Sequence, residues 1–239
     1  MTDDKKRVLG IIVAAGSGER LGAALPKALV EVAGKTILER TIEKLKRAKT
    51  PFEALLITYP EGYRSQFEHL LQAQEWECQL IEGGETRQAS VRRALLALTE
   101  MFHPNPTDRI VIHDAARCNI SPDLVDSVVE AVCETGAATL GIPLTDTLQR
   151  VDQDSQRIEG SISREGLWRM QTPQAFEYRH IMRAHDDGFE AATDDSTLVS
   201  SFCPVVVVKG DECNLKITAP IDLKFLEILE NSSSKFESF

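Results

Sequence analysis

The sequence predicts an α/β protein built on a doubly wound, mostly parallel sheet. Short apolar runs of strand length alternate with amphipathic helical segments along most of the 239 residues. The runs are apolar at nearly every position, which is typical of parallel strands covered by helices on both faces. Alternation of this kind builds βαβ units. The length suits one large α/β domain, so we expect residues 1–239 to fold as a single unit.

The first third of the chain shows this alternation. Val8 to Ala15 is predicted to form a buried strand. The stretch KTILERTIEKLKRAK has apolar residues at helical spacing, and Thr36 and Glu39 fit a capping box at its start. FEALLITYP then predicts a second strand, which ends at Pro60.

The later elements follow the same order. The helix predicted in SPDLVDSVVEAVCETG has Ser121 as its N-cap, Pro122 at its first position and Gly136 at its end. The other predicted elements are a helix in TRQASVRRALLALTEMF, strands in DRIVIHDAAR, AATLGIPL and PVVVVKG, helices at 178–187 and from 194, and a last helix that begins at Pro220.

The pattern changes between about residues 145 and 176. This stretch lacks a helical period and contains strand-like pieces around a polar turn at 152–156. We expect a β-hairpin arm that projects from the sheet. A two-stranded arm cannot bury both its faces alone, so the sequence favours a homodimer in which the arm docks on a second subunit. The tail, about 231–239, is expected to be frayed.

Composition limits the classes of binding partner and the cellular compartment that we expect for this protein. The net charge is -10 and the pI about 5.1, which argues against a nucleic acid partner, although a few basic residues in one cleft can still bind phosphates. The five cysteines lack a C-x-x-C spacing, which indicates reduced thiols rather than disulfides or a zinc site. Without a signal-peptide pattern or an apolar stretch of about 20 residues, we expect a cytoplasmic protein with no membrane contact.

A glycine loop follows the first predicted strand, in IIVAAGSGERLGAALPKALV. A dinucleotide-binding fingerprint needs G-x-G-x-x-G, but Gly22 stands one residue too late after Gly16 and Gly18. Pro26 would also interrupt the long helix that such a motif opens. A Walker A loop needs lysine and then serine or threonine directly after the last glycine, whereas Lys27 follows proline and no hydroxyl residue comes next.

Two interpretations of this loop remain. In one, Gly16 and Gly18 let the backbone approach a triphosphate. Arg20 and Lys27 then supply fixed positive charge. In the other, the loop is a turn that carries two solvated basic residues. The loop alone does not distinguish the two interpretations, so the other motifs of the chain are needed.

The loop and four later segments together resemble one enzyme family. AAGSGERLGAALPKALV resembles the signature of nucleotidyltransferases that activate sugar and polyol phosphates, A-A-G-x-G-x-R-[LM]-G…P-K. GGETRQASV, VIHDAAR, SREGLWRMQTPQ and DECNLKIT follow in this order. The combination resembles the 2-C-methyl-D-erythritol 4-phosphate cytidylyltransferase family of the non-mevalonate isoprenoid pathway, from about Val8 to Leu229.

The resemblance implies a reaction. Such enzymes join CTP and 2-C-methyl-D-erythritol 4-phosphate into a CDP-polyol, release pyrophosphate and require Mg2+. In-line attack of one phosphate on another needs no protein nucleophile. The site must therefore position two polyanions and neutralise the charge that gathers on phosphorus. The direct metal ligands stay open, because the triphosphate itself can supply most of them.

The resemblance also implies roles for individual residues. Arg20 and Lys27 correspond to transition-state stabilisers, while Arg164 and Lys216 position the attacking phosphate. Arg164 and Thr172 fall in the presumed arm, from which they would reach the partner subunit's site. The residues implied to bind CTP are Ala14, Ala15, Gly16, Gly18, Gly84, Arg87 and Ser90. The residues implied to contact the polyol phosphate are Asp114, Arg117, Arg164, Thr172, Thr193 and Lys216.

Some acidic and neighbouring residues have structural interpretations as well. Asp114 follows an apolar strand, and loops at strand ends line the ligand crevice of a doubly wound sheet. Its carboxylate could bind polyol hydroxyls or approach Mg2+. Asp194 and Asp195 follow Thr193 in a segment that matches a substrate-binding segment of the family. They could equally be helix-opening carboxylates that complement a helix dipole. His113 is predicted to be a hydrogen-bonded strand residue rather than a catalyst.

Two departures from the family pattern lie outside the core catalytic set, and the one at Gln149 could alter the polyol side of the site or the base of the arm. Cys118 stands where members usually have proline, and Gln149 stands where they often have a basic residue. A ribitol 5-phosphate cytidylyltransferase would share the loop and the chemistry but differ in its polyol, so it is one alternative. A non-catalytic nucleotide sensor on the same fold is another. The four basic residues implied to act on the phosphates count against a sensor.

Overall fold

The computed structural model describes residues 6–16, 18, 21, 25–187, 192 and 194–236, with 232–236 as backbone. The strands are β1 (Val8–Val13), β2 (Glu31–Val32), β3 (Lys35–Thr36), β4 (Ala54–Tyr59), β5 (Gln79–Glu82), β6 (Arg109–Asp114), β7 (Ala137–Pro143), β8 (Leu148–Val151), β9 (Ile158–Ile162), β10 (Trp168–Glu177) and β11 (Val206–Lys209). The helices are α1 (Ile37–Lys46), α2 (Arg64–Ala73), α3 (Arg87–Phe102), α4 (Pro122–Thr135), α5 (Tyr178–Asp186), α6 (Asp195–Ser200) and α7 (Pro220–Phe236), with a 3-10 turn at Lys27–Leu29.

The central sheet has the strand order β11-β7-β10-β6-β1-β4-β5. Its neighbouring strands run parallel except around β10, which pairs antiparallel with both β6 and β7. The chain builds outward from β1 to β4 and β5, then returns to place β6 on the other side of β1. This reversal makes the gap between the ends of β1 and β6 a topological switch point, where doubly wound sheets bind ligands.

Helices cover both faces of this sheet. The core on one face packs α1, α2 and α4 against the strands, and the core on the other face includes residues of α3, α5 and α6. Strand β1 serves both cores because side chains alternate along a strand: Val8 and Ile12 face the first core, whereas Leu9 and Ile11 face the second. The prediction of a doubly wound, mostly parallel sheet is confirmed.

The predicted helix signals can be compared with the observed termini. Thr36 and Glu39 form the expected capping box at the start of α1, with hydrogen bonds of 3.1 and 2.6 Å in the two directions. Pro122 opens α4, and Gly136 ends it in the left-handed conformation with φ 86°. Ser121 occupies the N-cap position, but its side chain makes no capping hydrogen bond.

Besides the two-residue strands β2 and β3, helix α2 and strand β5 have no counterpart among the sequence predictions. Helix α2 begins without a side-chain cap at Tyr63, so the usual start signal is absent. Strand β5 has four residues, all exposed or half-buried. A short edge strand of this kind shows neither a continuous apolar run nor a clear alternation.

The region predicted to be an arm divides into two parts. Strands β8 and β9 form the expected antiparallel hairpin, separate from the central sheet. The end of the region, from Trp168, instead forms β10 inside the central sheet, so the predicted arm boundary at 176 is wrong. The proline and the two glutamines within Gln171–Gln174 are untypical of a central strand, so the sequence pattern does not predict one here. The strand accommodates them at a register shift, with both glutamine side chains hydrogen bonded in the interior.

The C-terminal tail is more regular than expected. Helix α7 continues through residue 231, where fraying was expected to begin, as far as Phe236. The sequence NSSSKF contains no glycine or proline that would stop a helix begun at Pro220. Residues 237–239 lie outside the described part of the chain.

Candidate active site

A cleft opens at the switch point between β1 and β6. Its larger cavity measures about 730 Å³, within the size range of small-molecule sites. The cavity runs from the loop after β1 to the start of α3, and its wall includes Lys27, Asp114 and Lys216. A smaller cavity of about 340 Å³ adjoins it near β10. The two cavities share Arg87 with Asp114 and Lys216 in their lining.

The glycine loop holds Lys27 at the edge of the larger cavity. Gly18 has φ +75°, and a side chain there would lie 2.9 Å from Cβ of Lys27, so the close approach requires glycine. Lys27 follows Pro26 into the 3-10 turn, and its Nζ donates to the Ile217 carbonyl at 2.9 Å. Gly16 lines the same cavity. Arg20 lies outside the described residues, so its predicted role stays a prediction.

The start of α3 closes the opposite end of this cavity. Ser90 Oγ accepts a hydrogen bond from the Gly84 N–H at 3.0 Å and donates to the Thr86 carbonyl at 2.9 Å. A side chain on the neighbouring Gly83 would lie 2.2 Å from Cβ of Ala15, so this turn is pressed against the first loop. The predicted proximity of Gly84, Ser90 and the glycine loop is therefore present.

Two backbone N–H groups at this end of the cavity make hydrogen bonds within the protein. The Ala14 N–H donates to Thr58 Oγ1 at 3.1 Å, and the Gly84 N–H is taken by Ser90. These two donors are used within the protein. A ligand that enters here therefore finds these two N–H groups already engaged.

Asp114 stands between two cations at the boundary of the cavities. Its Oδ1 accepts from Nε of Arg87 at 2.9 Å, and its Oδ2 accepts from Nζ of Lys216 at 2.7 Å. Burial alone would raise the pKa of Asp114, but the charges and hydrogen bonds of Arg87 and Lys216 outweigh burial and lower it far below its usual value. Asp114 is therefore an anion that orients two cations.

Arg87 extends this ion-pair chain away from the cleft. Its Nη1 lies 2.7 Å from Oδ2 of Asp195, which is itself 1% exposed. Oδ1 of Asp195 lies 3.0 Å from Nε2 of His185. Burial by itself would lower the pKa of Arg87, but the two carboxylates raise it above its usual value. Arg87, predicted as a CTP contact, is thus also the central link between two buried carboxylates.

The smaller cavity is lined mainly by polar side chains. Arg117 donates from Nη1 to the Asn214 carbonyl at 2.7 Å and from Nη2 to the Met170 carbonyl at 3.2 Å. These bonds fix its guanidinium beside Thr172, Gln174 and the shared lysine. Burial lowers the pKa of Arg117 more than nearby Asp114 raises it. A fixed guanidinium in a polar cavity suits an anionic ligand.

His113 and Thr172 form a hydrogen-bonded pair beneath this cavity. Nε2 of His113 lies 3.2 Å from the Arg117 carbonyl, which can only accept, so this nitrogen carries the proton. The Thr172 hydroxyl therefore donates to Nδ1 at 3.0 Å and accepts from the Asp114 N–H at 3.0 Å. Burial lowers the pKa of His113 to about 4, which keeps the ring neutral. The interpretation of His113 as a hydrogen-bonded strand residue fits this geometry.

Of the remaining predicted contacts, Thr172 lines the smaller cavity, whereas Arg164 lines neither cavity. Arg164 lies on the arm, where its guanidinium bonds to the Thr145 carbonyl, and it is absent from the linings of both cavities. Thr172 was placed in the arm by the sequence but lies in β10, because the arm ends earlier. Thr193 lies outside the described residues. Asp194 caps α6 by accepting from the Thr197 N–H at 2.9 Å, as its structural interpretation predicts.

The two departures from the family pattern occupy different environments. Cys118 is buried with Ile37, Ile217 and Leu226, where burial raises the pKa of its thiol to about 12. It is therefore an inert packing residue beside the site. Gln149 is exposed on β8 of the arm.

Several cavity residues escaped prediction from the sequence. Pro60 and Glu61 follow β4, and Arg93 lies one turn beyond Ser90 on α3. Nη1 of Arg93 donates to the Gly83 carbonyl at 2.6 Å. The placement after β4 was the available signal, because β4 ends at the same edge of the sheet as β1.

The protein groups fit a magnesium ion that binds mainly through a nucleotide. Among the described residues, no three histidine, cysteine or acidic side chains cluster as a metal site. Mg2+ commonly binds through substrate phosphates and one or two carboxylates. Asp114, at the boundary of the two cavities, is the described carboxylate best placed for that arrangement.

Comparisons with known proteins agree in sequence and in fold. The family described as 2-C-methyl-D-erythritol 4-phosphate cytidylyltransferase (IspD) matches residues 8–231. The protein of that name from Deinococcus radiodurans is 39% identical over 228 residues, 93% of this chain and 89% of the relative. The one from Crocosphaera subtropica is 35% identical over 225 residues, 92% of this chain and 96% of the relative.

Solved structures share this fold over more than nine-tenths of the chain. A crystal structure of a 4-diphosphocytidyl-2C-methyl-D-erythritol synthase has a TM-score of 0.79 at 28% identity, and covers 94% of this chain and 99% of its own. The cytidylyltransferase from Thermus thermophilus has a TM-score of 0.71 at 31% identity, and covers 92% and 98%. Because the family model and these relatives match most of its length, the chain belongs to the 2-C-methyl-D-erythritol 4-phosphate cytidylyltransferase family.

Proposed function

We propose that this protein transfers CMP from CTP to 2-C-methyl-D-erythritol 4-phosphate and releases pyrophosphate. The observation that carries the proposal is the shared wall of Arg87, Asp114 and Lys216 between two cavities. The larger cavity adjoins the glycine loop and suits a nucleoside triphosphate. The smaller polar cavity, with its fixed Arg117, suits the phosphate of a small polyol. Family membership supplies the identities of the two substrates.

The larger cavity also favours a cytosine base. The N–H groups of Ala14 and Gly84 are used inside the protein, so a base at this end would bind to acceptors such as backbone carbonyl oxygens rather than to these two donors. The exocyclic amine of cytosine is a hydrogen-bond donor, and it would pair with such acceptors. We therefore assign the base to the end of the cavity near Ser90 and the triphosphate to the end near Lys27.

The reaction needs positioning and charge more than a protein nucleophile. An oxygen of the polyol phosphate forms a bond to the α-phosphorus of CTP while the bond from that phosphorus to the β-phosphate oxygen breaks, so pyrophosphate leaves with the electron pair. Lys216 would hold the attacking phosphate, since it lies at the boundary of the cavities. Lys27 would stabilise negative charge on the α-phosphate. Arg20 and Arg164 are proposed to add further charge.

Mg2+ is proposed as the cofactor. When bound to the triphosphate it would neutralise phosphate charge and orient the leaving group. Asp114 is the candidate protein ligand, and its pairing with Arg87 and Lys216 also keeps those cations in place.

Pyrophosphate release tests this function directly. With CTP and Mg2+, we expect the purified protein to release pyrophosphate when methylerythritol phosphate is present and not when it is omitted. Removal of Mg2+ by a chelator should stop the release. Release with another nucleoside triphosphate at an equal rate would contradict the assignment of the base pocket.

Replacement of Ser90 by alanine tests the base end of the cavity. The hydroxyl holds the Gly84 turn through its bonds to Gly84 and Thr86. We expect the KM for CTP to rise about three- to tenfold, because one hydrogen bond contributes ~0.5–1.5 kcal/mol. Ser127→Ala removes a similar helical bond to the Asp123 carbonyl on another helix and serves as the control. An unchanged KM in Ser90→Ala would contradict the assignment.

We also propose that the arm makes the protein a homodimer. The cross-strand pairs Val151–Ile158 and Leu148–Ile162 are apolar, and Ile158 is 64% exposed. An apolar two-stranded hairpin is marginally stable in water, and exposed apolar surface of this kind marks an interface. Arg164 at the base of the arm would then reach the second subunit's cleft, which accounts for its distance from the cavities of its own chain.

A charge placed on the arm tests the dimer. Ile158→Asp should convert a wild-type dimer into a monomer in light scattering coupled to gel filtration, because a buried unpaired carboxylate is costly. Gln153→Asp, in the exposed turn of the same hairpin, adds the same charge outside the apolar pairs and should stay dimeric. A monomeric wild type, or a dimeric Ile158→Asp, would contradict the proposal.

A reducing compartment, the cytoplasm, is proposed as the location. The five cysteines, all in the described part of the chain, are free thiols. Within the described residues, no helix is both long and apolar enough to span a bilayer. The acidic net charge of -10 supports the expectation that nucleic acid is not a partner.

A further inference from the structure

Behind the cleft, five side chains that are alternately basic and acidic form a continuous series of contacts. His185 contacts Asp195, Asp195 contacts Arg87, Arg87 contacts Asp114, and Asp114 contacts Lys216, each at 2.7–3.0 Å. Lys216, at the cleft end of the chain, is 40% exposed, whereas His185 and Asp195 at the other end are each 1% exposed. Neither His185 nor Asp195 lines a cavity of the described cleft.

Asp195 is held in place by its own surroundings. It is the first residue of α6, and Asp194 caps that helix through the Thr197 N–H. Gln174 of β10 ties the same helix start to the sheet by accepting from the Ser196 N–H at 3.0 Å. Nε2 of His185 donates to Asp195, since a carboxylate only accepts. The carboxylate is thus fixed before any ligand binds.

Burial of a charged carboxylate costs desolvation free energy, which its interactions within the protein must offset. Burial would raise the pKa of Asp195, but Arg87 and His185 outweigh burial and lower it, so Asp195 stays charged. Helix capping does not explain this carboxylate, because Asp194 performs that task. The described contact that Asp195 makes toward the cleft is the one to Arg87.

We propose that Asp195 is a positioning residue that acts on the attacking phosphate through Arg87, Asp114 and Lys216. Asp195 holds one edge of the Arg87 guanidinium, which leaves Nε for Oδ1 of Asp114. Oδ2 of Asp114 then stays with Lys216. Without the charge of Asp195, the guanidinium is free to engage both oxygens of Asp114 in the bidentate geometry that arginine prefers. Lys216 then loses its anchor.

The inference rests on the proposed function and deepens it. It predicts which substrate is affected, because Lys216 is assigned to the attacking phosphate and the base end of the nucleotide cavity lies elsewhere. We expect Asp195→Asn to lower kcat/KM for methylerythritol phosphate about tenfold or more, similar to the loss of partners that orient metal ligands. The KM for CTP should rise less than the KM for methylerythritol phosphate, because Arg87 also lines the nucleotide cavity but Lys27 and the Ser90 end of that cavity are untouched.

A matched control separates positioning from general destabilisation. Asp108 is also a buried carboxylate, 2% exposed, and it pairs with Arg7. It directly precedes β6, so it lies at one end of that strand and Asp114 lies at the other. Asp108→Asn should lower the melting temperature but leave both kinetic constants near those of the wild type. If Asp195→Asn is not obtained folded, His185→Phe weakens the same carboxylate from the other side and should give the same selective pattern, less severely.

The decisive experiment is a double-mutant cycle. In a Lys216→Met background, Asp195→Asn should cause no further loss of kcat/KM for the polyol phosphate, because its effect passes through Lys216. Additive losses, or an equal rise of both KM values in the single variant, would overturn the inference. The wild-type assay is measured first: an inactive wild type rejects the proposed function, whereas an active wild type without this pattern rejects the positioning role alone.

Discussion

Replacement of Lys27 by alanine is expected to lower kcat for cytidylyl transfer about 10²-fold or more, with a smaller change in the KM for CTP. Gly18 and the Pro26 turn hold this lysine at the edge of the nucleotide cavity. A preorganised charge near the α-phosphate stabilises the transition state more than the bound substrate, and removal of one such group typically costs that much. Steady-state pyrophosphate release measures both constants.

The matched control for Lys27 is a surface lysine. Lys35→Ala removes a lysine that pairs with Glu43 at 2.6 Å on the exposed side of α1. It should leave kcat unchanged within about twofold, because exposed ion pairs contribute little. If Lys27→Ala raised the KM for CTP and left kcat intact, Lys27 would bind the ground state alone and the assigned role would be wrong.

Replacement of Lys216 by methionine is expected to have the second large effect. The change keeps much of the side-chain volume but removes the charge from the boundary of the two cavities. It also leaves Oδ2 of Asp114 without its cation. We expect kcat/KM for methylerythritol phosphate to fall about 10²-fold or more, the size seen when a preorganised charged donor is removed. Initial rates at saturating CTP with varied polyol phosphate measure it.

The control for Lys216 is a lysine of the last helix. Lys224 is exposed on α7, and Lys224→Met should leave the same rates unchanged. A Lys216→Met variant that lost affinity for CTP and kept its kinetics with the polyol phosphate would place Lys216 on the nucleotide instead. It would also remove the basis for the positioning role of Asp195.

The sequence reveals the parts of the fold that depend on local signals. The capping box at Thr36, the stop at Gly136 and the continuous apolar run of β1 each carry a physical signature within a few residues. The end of the arm lacks such a signature. Thr172 and Gln174 belong to β10 because distant partners, His113 and α6, satisfy their polar groups, and no short window of sequence contains that information.

The site follows the same division between local and distant information. Lys27 is recognisable because the glycine loop and the proline stand beside it in sequence. The chain from His185 to Lys216 is not recognisable, because its ion pairs join residues up to 108 positions apart. Asp195 lies in the first turn of α6, as its helix-opening interpretation predicts, whereas its burial and its pairing with Arg87, on which the proposed positioning role rests, have no local signature.

The central claim is cytidylyl transfer to methylerythritol phosphate rather than to another polyol phosphate. The most direct test compares kcat/KM for 2-C-methyl-D-erythritol 4-phosphate and for ribitol 5-phosphate, with CTP and Mg2+ held constant. We predict release of pyrophosphate with the first substrate, a much lower value with the second, and loss of both in Lys27→Ala. A preference for ribitol 5-phosphate would keep the mechanism but contradict the substrate, and silence with both would favour a nucleotide sensor.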